Sequence, residues 1–280
     1  MRTAFIVSTY NRPDALLEVL RGLAGQCTDR HEVIIADDGS SLVAVQKILA
    51  ELPSFRCSVR HVWHPDVGFI LSRVRNLGVL ACHADYLVFM DGDCVPSSHF
   101  VASHEALAEP EFFVNGSRVL LSKSLTGKII TGQAGFADVT WLTWLRWRIA
   151  GDVNKLIHLI QLPDLALRRE PHFRWKRIRG CNIGVWRKDY LQINGFDESF
   201  TGWGHEDADF VLRLHNAGVQ RKNGFCSTEV YHLWHPESSR SEATSNRERV
   251  TLRIKTGVIR AEKGVDEAAL AEDVVIQKFN

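Results

Sequence analysis

Residues 86–93 read YLVFMDGD and decide the fold that the sequence predicts. An uninterrupted run of apolar and aromatic residues, Tyr86 to Met90, is typical of a central strand that is buried on both faces of a sheet. Asp91 and Asp93 follow the run at once, with a single glycine between them. Ligands of open α/β sheets bind outside the carboxyl ends of the strands. We therefore expect a ligand crevice directly after this strand.

Two segments on the N-terminal side repeat this arrangement. Residues 3–9 and 32–36 are short apolar runs that predict strands, and leucines at helical spacing follow the first of them. Strands that alternate with helices indicate βαβ units and a mainly parallel sheet. The ends of these strands, residues 9–12 and 37–38, should then meet the aspartate pair at one edge of the sheet.

The second half of the chain has a less regular pattern. It predicts strands over residues 112–121, 181–186 and 230–234, and helices over residues 136–169, 205–217, 240–264 and 265–278. The sequence contains no internal repeat.

The composition is that of an ordinary globular protein. The 280 residues suffice for one large α/β domain, and 45% of them are hydrophobic and 24% charged. The formal net charge is +1, so bulk charge does not indicate a nucleic-acid partner, and an anionic ligand must be held by local groups. No G-x-G-x-x-G follows the first strand, which disfavours an NAD-dependent dehydrogenase.

Several features favour a cytoplasmic protein. None of the six cysteines belongs to a C-x-x-C pair, which gives no support to a zinc finger. The N-terminal segment turns polar too soon for a signal peptide, and no apolar run is long enough to span a bilayer. Residues 136–170 nevertheless suit peripheral contact with the inner face of a membrane, because three tryptophans and two arginines lie between residues 141 and 148. A helix packed on the core, or an oligomer contact, is the alternative explanation.

The two aspartate pairs suit the chemistry of a nucleotide diphosphate. Asp91 and Asp93 can hold a divalent cation that neutralises the departing diphosphate. Asp37 and Asp38 can accept hydrogen bonds from a base or from ribose hydroxyls. Each pair also has a structural explanation, because aspartate and glycine form ordinary turns and aspartate caps helices.

Residues 202–209, GWGHEDAD, predict an acceptor site. A sugar hydroxyl becomes a good nucleophile when a positioned base removes its proton, and Glu206 or Asp207 can do this at the start of the predicted helix. The face of Trp203 can stack on a sugar ring. The alternative is that the acidic residues complement the helix dipole, but this does not explain the Gly-Trp-Gly before them.

Other polar residues have less specific patterns. Arg179 and Asn182 can line a pyrophosphate or acceptor path, or simply form a turn. His232 and His235 follow a predicted strand and can bind a metal, although lone histidines are more often structural. Arg75 can reach a phosphate from its helix, or face solvent.

Together these motifs resemble glycosyltransferase family 2, which has the GT-A fold. The resemblance is carried by the opening strand and loop over residues 7–12, the DDGS of residues 37–40, the R-N-x-G of residues 75–78 and the DGD of residues 91–93. It implies an α/β, Rossmann-like, mainly parallel sheet flanked by helices. It also implies a nucleotide-sugar donor that contacts the following residues: Thr9, Tyr10, Arg12, Asp37, Asp38, Arg75 and Asp91.

The segment from Gly180 to Asp209 is similar to the C-terminal half of β-1,4-galactosyltransferases, polypeptide GalNAc-transferases and chondroitin polymerase. This similarity implies that Asp207 is the catalytic base and that Glu206 positions the sugars. Acceptor contacts would come from the following residues: Arg179, Asn182, Trp203, Gly204 and Glu206. His205 departs from the galactosyltransferases, which have glycine there.

The same resemblance implies a divalent metal, Mn²⁺ or Mg²⁺. Asp91 and Asp93 would hold it together with His232, or with His235 in its place. The metal would stabilise the charge of the departing diphosphate, which makes the nucleotide a better leaving group.

We therefore expect a GT-A domain over residues 1–236 and a helical tail over residues 237–280. Within the domain, residues 1–110 would bind the nucleotide, and residues 111–236 the acceptor. The predicted function is inverting transfer of a sugar from a nucleotide sugar, most simply a UDP-sugar, to a saccharide or glycolipid, in surface polysaccharide or lipopolysaccharide synthesis. A nucleotidyltransferase that makes nucleotide sugars and a non-catalytic saccharide-binding module are the alternatives.

Overall fold

The structure is a computed structural model that describes residues 1–136, 139–174, 177–202, 204–236 and 243–279. Trp203, which the sequence assigns to the acceptor site, lies outside the described residues. The strands are β1 (Thr3–Thr9), β2 (His31–Asp37), β3 (Ser58–Trp63), β4 (Tyr86–Asp91), β5 (Cys94–Pro96), β6 (Phe112–Asn115), β7 (Ser117–Leu120), β8 (Arg169–Glu170), β9 (Asn182–Trp186), β10 (Gln220–Asn223), β11 (Glu229–His232) and β12 (Val275–Phe279). The helices are α1 (Pro13–Ala24), α2 (Leu42–Glu51), α3 (Leu71–Leu80), α4 (Phe100–Leu107), α5 (Lys123–Ile130), α6 (Trp141–Ile149), α7 (Arg187–Gln192), α8 (Glu206–Asn216), α9 (Ala243–Thr256) and α10 (Val265–Ala268).

Within the described residues, nine strands form the main sheet in the order β12-β3-β2-β1-β4-β9-β6-β10-β8. On one side of the sheet β3, β2, β1 and β4 run parallel to one another, with β12 antiparallel at the edge. In the other half, β9 is antiparallel to both of its neighbours, β4 and β6. The predicted Rossmann-like α/β sheet flanked by helices is confirmed, and its second half mixes both strand directions.

The register of the parallel strands brings the predicted donor residues to one edge. Thr9 of β1 pairs with Asp37 of β2, and Ser8 pairs with Asp91 of β4. Residues 86–90 are fully buried, as their apolar sequence predicts. The turn after β4 passes so close to β1 that a Cβ at Gly92 would lie 2.9 Å from the carbonyl oxygen of Ser8.

Strand β9 and a second, smaller sheet bring C-terminal residues to the same edge. Because β9 runs antiparallel to β4, its first residue, Asn182, pairs with Met90, and the residues before it lie beside the end of β4. The smaller sheet has the order β5-β11-β7 and pairs His232 with Cys94. The structure thus joins segments that are far apart in sequence around the end of β4.

Residues 136–170 are less helical than predicted. The helix ends at Ile149, and short 3₁₀ turns follow at Ile157–Leu159 and Ala166–Arg168. Trp144 is buried against Tyr231, with 5.0 Å between the ring centroids, whereas Trp141 is 65% exposed. Among the described residues, no helix is both long and apolar enough to cross a membrane.

The C-terminal segment also differs from the predicted helical tail. The predicted helix over residues 240–264 corresponds to α9, but the one over residues 265–278 is wrong. Only four residues, α10, are helical there, and β12 pairs antiparallel with β3 at the edge of the main sheet. The β-branched residues Val275 and Ile276 at the start of β12 suit an extended conformation.

Helix α9 braces the start of α8. Arg253 of α9 donates hydrogen bonds to the fully buried carboxylates of Asp209 and Asp197, each over 2.7 Å. Asn246 donates to the carbonyl oxygen of Gly204, over 2.9 Å. Buried, hydrogen-bonded charge pairs are costly to break, so these contacts fix the turn that carries the predicted acceptor residues.

Candidate active site

Asp93 is the centre of a cluster of cationic and imidazole groups. The Nη1 atom of Arg12 lies 3.2 Å from Oδ2 of Asp93, and the Nε2 atom of His235 lies 3.4 Å from the same oxygen. The Nε2 atom of His232 lies 3.7 Å from Oδ1. The structure therefore brings together the predicted metal ligands Asp93 and His232, the predicted donor residue Arg12 and the alternative ligand His235.

This donor set fits a divalent cation such as Mn²⁺ or Mg²⁺. One donor atom from each of Asp93, Cys94 and His232 lies within 4.8 Å of the others. Burial lowers the pKa of His232 to about 4, so its imidazole is neutral near pH 7 and keeps a lone pair for a metal. Carboxylate oxygens suit hard divalent cations, whereas the buried thiol of Cys94 is a soft ligand. Asp93 and His232 are the residues that would hold the ion.

Arg75 lies in the interior rather than on a solvated helix face. It is fully buried, and its Nη2 atom donates to Oδ1 of Asp91 and to the carbonyl oxygen of Gly180, each over 3.0 Å. Its guanidinium lies 4.9 Å from the centroid of the Phe196 ring. Among the described residues, its Nε and Nη1 atoms have no hydrogen-bond partner. Arg75 therefore fixes Asp91 and retains donors for a ligand.

The backbone of Gly180 connects this cluster to the predicted base. While its carbonyl oxygen accepts from Arg75, its N–H donates to Oδ2 of Asp207 over 3.2 Å. The other carboxylate oxygen of Asp207, Oδ1, accepts from the N–H of Ala208 over 2.8 Å. A Cβ at residue 180 would lie 3.1 Å from Cβ of Asp207, so the close approach favours glycine. Asp91 and Asp207 thus lie on either side of one Arg75–Gly180 bridge.

Glu206 is a half-buried acid whose carboxylate has unused hydrogen-bonding capacity. Its Oε2 atom is buried and, within the described part of the chain, has no hydrogen-bond partner. Burial, reinforced by the charge of Asp207, raises the pKa of Glu206 from 4.5 to about 7, although the guanidinium of Arg75 opposes the rise. A buried carboxyl with a raised pKa is typical of functional sites, because a structural role alone seldom justifies its cost.

The turn before α8 has an uncommon backbone. Gly202, Gly204 and His205 have φ values of 69°, 106° and 72°, all in the region that favours glycine. A glycine at residue 205 would relieve the strain of this backbone conformation. The turn starts α8 with Glu206 and Asp207, and the carboxylate of Asp207 contacts the bridge at the N–H of Gly180.

Asp37 and Asp38, by contrast, are engaged with the protein. Asp37 is fully buried, and its carboxylate accepts from the backbone N–H of Ser40 over 2.8 Å and contacts Nε2 of His61 over 2.9 Å. Asp38 is 5% exposed and accepts from the N–H of Ile70 over 3.1 Å. In this conformation both carboxylates shape the loop beside Thr9, and their predicted contact with a donor stays a prediction.

Tyr10 follows β1 and contacts Asp66, which lines a cavity. Its hydroxyl donates to Oδ2 of Asp66 over 2.8 Å, and its ring is 47% exposed. Beside this contact lies a cavity of about 440 Å³ whose lining includes Asn11, Ser40, Trp63 and Asp66. An exposed aromatic ring next to such a cavity suits the stacking of a planar base.

Asn182 has a structural role in this conformation. It is fully buried, its Nδ2 donates to the carbonyl oxygen of Ser117 over 3.1 Å, and its Oδ1 lies 2.9 Å from Nε2 of His104. Because these contacts occupy its amide, Asn182 ties β9 to β7 rather than reaching an acceptor. Arg179, three residues earlier, is partly exposed.

Sequence reasoning missed several cations that lie near Arg179. They are Arg118, Lys155, Arg177 and Arg221, and together with Arg179 they line a second cavity of about 370 Å³. They come from four separate segments, none of which carries a recognisable motif. Only the pairing of the strands brings them together.

The carboxyl of Glu206 should make the stability of the protein depend on pH. A group whose pKa is raised on folding contributes stability that is complete below its unfolded pKa, here 4.5, and is lost as the pH rises through about 7. Relative to Glu206→Gln, the free energy of unfolding of the wild type should therefore fall by roughly 1–3 kcal/mol between pH 4.5 and pH 8. Urea unfolding without divalent cations measures the difference. Glu248→Gln, at an exposed position, is the matched control. If the difference in free energy of unfolding between the wild type and Glu206→Gln stays the same from pH 4.5 to pH 8, the prediction is contradicted.

Comparison with known proteins agrees with this geometry. Residues 4–128 match the family model described as glycosyl transferase family 2, and residues 165–236 match the model described as N-terminal domain of galactosyltransferase. The chondroitin synthase of Escherichia coli is 30% identical over 262 residues, which cover 87% of this chain and 36% of that protein. The validoxylamine A glucosyltransferase of Streptomyces hygroscopicus subsp. jinggangensis is 26% identical over 229 residues, which cover 76% of this chain and 51% of that protein. The chain thus spans between about a third and about half of the length of these relatives.

Solved structures of other proteins have a similar fold. The crystal structure of GalNAc-T7 with UDP, GalNAc and Mn²⁺ superposes with a TM-score of 0.60 at 12% sequence identity, and the match covers 90% of this chain and 48% of that one. The strand order, the DGD motif at the end of β4 and this similarity define a protein of the GT-A fold. The two matched segments identify it further: residues 4–128 match glycosyltransferase family 2, and residues 165–236 match the galactosyltransferase model.

Proposed function

We propose that the protein is an inverting glycosyltransferase that moves a sugar from a nucleotide-sugar donor, of the UDP-sugar class, to a hydroxyl of a saccharide or glycolipid. One observation carries this proposal. The Asp93–His232 cluster and the Glu206–Asp207 pair belong to one site, because Arg75 contacts Asp91 and Gly180, and Gly180 contacts Asp207. A donor diphosphate on the first pair and an acceptor hydroxyl beside the second would then lie side by side.

Each residue has a separate role in the proposed direct displacement. Asp207 accepts the proton of the acceptor hydroxyl while the hydroxyl oxygen bonds to the anomeric carbon of the donor. The bond from that carbon to the diphosphate oxygen breaks, and the bonding electrons leave with the nucleotide. Arg12 would stabilise the growing negative charge, and Arg75 would support the site through its hydrogen bond to Asp91. A divalent metal bound by Asp93 and His232 would add Lewis-acid stabilisation of the same leaving group.

Glu206 suits the positioning of sugar hydroxyls. Its unpartnered Oε2 can accept a hydrogen bond that no described protein group supplies. Buried acceptors that lack a partner are costly, so a sugar hydroxyl that fills this position gains binding energy. In the proposed scheme, Glu206 orients the sugar and Asp207 transfers the proton.

The relatives suggest the biological setting. One of them is named for the synthesis of chondroitin, a saccharide polymer. We place the present chain in the synthesis of a surface polysaccharide or lipopolysaccharide, with a saccharide or lipid-linked saccharide as the acceptor.

Release of UDP tests the proposed function. The protein incubated with UDP-sugars should release UDP when Mn²⁺ is present, and chelation with EDTA should abolish the release. A nucleotidyltransferase would instead consume a sugar phosphate and release pyrophosphate from a nucleoside triphosphate. A saccharide-binding module would release neither product. Either of those two results would remove the proposed function.

Helix α6 is the part of the surface most suited to a membrane. Trp141 is 65% and Ile149 79% exposed, and Arg146 and Arg148 lie between them in sequence. We propose peripheral contact of this helix with an anionic membrane, where a lipid-linked acceptor would be met. In a flotation assay the protein should rise with vesicles that contain anionic lipid, and Trp141→Ser should reduce the bound fraction. Wild-type protein that stays at the bottom of the gradient would contradict the proposed membrane contact.

A further inference from the structure

A cavity of about 370 Å³ lies beside the proposed site and has a strongly positive lining. Five cations line it: Arg118, Lys155, Arg177, Arg179 and Arg221. None of the described residues that line it is acidic. Its volume lies within the range of about 300–1,000 Å³ that is usual for small-molecule sites. Since the net charge of the chain is only +1, this concentration of positive charge is local rather than a general property of the surface.

Electrostatic repulsion between the cations that line the cavity costs free energy. Burial lowers the pKa of Lys155, the charge of Glu229 opposes this shift, and the nearby cations Arg179 and Arg118 lower the pKa further. Burial and the charge of Arg118 likewise lower the pKa of Arg179. Among the described residues, no carboxylate forms an ion pair with Arg118, Lys155 or Arg179. A bound anion would remove this repulsion, whereas a neutral ligand would leave it in place.

The contacts of these side chains leave donors directed at the cavity. Lys155 donates to the hydroxyl of Ser117 over 2.7 Å, and Arg179 donates through Nη1 to the carbonyl oxygen of Ile178 over 3.1 Å. Arg118 donates through Nη1 to the thiol of Cys181 over 3.9 Å. An ammonium has three donors and a guanidinium five, so most of them remain for a ligand. Guanidinium groups pair well with carboxylates and phosphates because both oxygens can be contacted at once.

The position of the cavity indicates which substrate carries the anion. Arg179, on its wall, directly precedes Gly180, whose N–H donates to the carboxylate of Asp207. The cavity therefore adjoins the proposed base. The cluster around Asp93, where the donor diphosphate would lie, contains Arg12 and the two histidines instead. An anion in the cavity would thus belong to the molecule whose hydroxyl Asp207 deprotonates.

We propose that this cavity binds an anionic group, a carboxylate or a phosphate, on the acceptor saccharide. The proposal rests on the proposed function, since it takes Asp207 as the base that faces the acceptor. It names the acceptor class: a saccharide with a negative charge close to the accepting hydroxyl.

Binding of matched small sugars tests the proposal. Methyl β-D-glucuronide and methyl β-D-glucoside differ only in a carboxylate, and glucose 6-phosphate supplies the phosphate. Each would be titrated calorimetrically into the full chain with UDP and Mn²⁺ at low salt. We expect at least one charged sugar to bind at least tenfold more tightly than the glucoside, and the tighter one identifies the anion. Equal binding of charged and neutral sugars would overturn the proposal.

Variants locate the effect in the cavity. Lys155→Gln should weaken binding of the charged sugar about fivefold to tenfold and leave binding of the glucoside unchanged, while Lys155→Arg should restore it. Lys128→Gln, at an exposed position on α5, is the matched control and should change nothing. Melting curves verify that each variant is folded. A preference that persists unchanged in Lys155→Gln would place the anion elsewhere and overturn the proposal.

Two further measurements separate this proposal from the proposed function. If the wild type releases no UDP from any UDP-sugar with Mn²⁺, the proposed function fails, while the sugar titrations still decide whether the cavity selects anions. If Lys155→Gln instead weakens binding of UDP-glucuronate relative to UDP-glucose, the anion belongs to the donor and the acceptor assignment is overturned.

Discussion

Asp207→Asn is expected to lower the rate of sugar transfer by about 10²–10⁴-fold, the usual contribution of a general base. The amide has the shape of the carboxylate but cannot accept a proton. Asp207 accepts hydrogen bonds from the N–H groups of Gly180 and Ala208, so the side chain should stay in place. One of these two hydrogen bonds should be lost, because the amide nitrogen of asparagine cannot accept it. Donor binding should be retained, because the Asp93 cluster is untouched. Initial rates with saturating donor, and UDP affinity by calorimetry, separate the two effects.

The matched control is Asp266→Asn. Asp266 also lies in the first turn of a helix, α10, but at an exposed position whose partner is Arg260. It should leave transfer unchanged. Glu206→Gln offers a second comparison: we expect a raised KM for sugar and a smaller loss of kcat than in Asp207→Asn. Full transfer by Asp207→Asn would remove Asp207 from the role of base.

The second large effect is expected at Asp93. Its carboxylate is the common contact of Arg12, His232 and His235. Asp93→Asn keeps the shape of the side chain but removes the charge that would balance a divalent cation. The affinity for Mn²⁺ in the presence of UDP should therefore fall by at least about 10²-fold, because the charge of the carboxylate contributes several kcal/mol to metal binding. Electron paramagnetic resonance of free Mn²⁺ measures the bound fraction directly.

Histidine variants refine the metal assignment. His232→Ala should weaken Mn²⁺ binding more than His235→Ala, because His232 is fixed by strand β11 and belongs to the group of donor atoms within 4.8 Å of one another. His172→Ala, at an exposed position, is the control. Unchanged Mn²⁺ affinity in both Asp93→Asn and His232→Ala would show that the ion is held elsewhere.

The N-terminal half of the site could be predicted from sequence because it follows local rules. Each parallel strand is a short apolar run, and the polar residue after it must lie at the carboxyl edge of the sheet. The observed register, with Thr9 beside Asp37 and Ser8 beside Asp91, is the outcome of that rule. The resemblance to glycosyltransferase family 2 rests on the same motifs, and the family models confirm it.

The C-terminal half depends on pairings that local patterns do not encode. Nothing in residues 180–186 indicates that β9 inserts between β4 and β6, yet this insertion places Gly180 between Arg75 and Asp207. Arg75 has the sequence context of an exposed helical residue, but the carboxylate of Asp91 and the ring of Phe196 hold it in the interior. The edge strand β12 and the basic cavity likewise result from long-range contacts.

Anomalous diffraction from crystals grown with Mn²⁺ and UDP tests the central claim most directly. The account predicts one strong manganese peak in contact with Asp93 and His232, with the diphosphate on it and the carboxylate of Asp207 facing the same crevice. A well-ordered UDP whose manganese is held by other residues, or an Asp207 that opens onto a different surface, would contradict it.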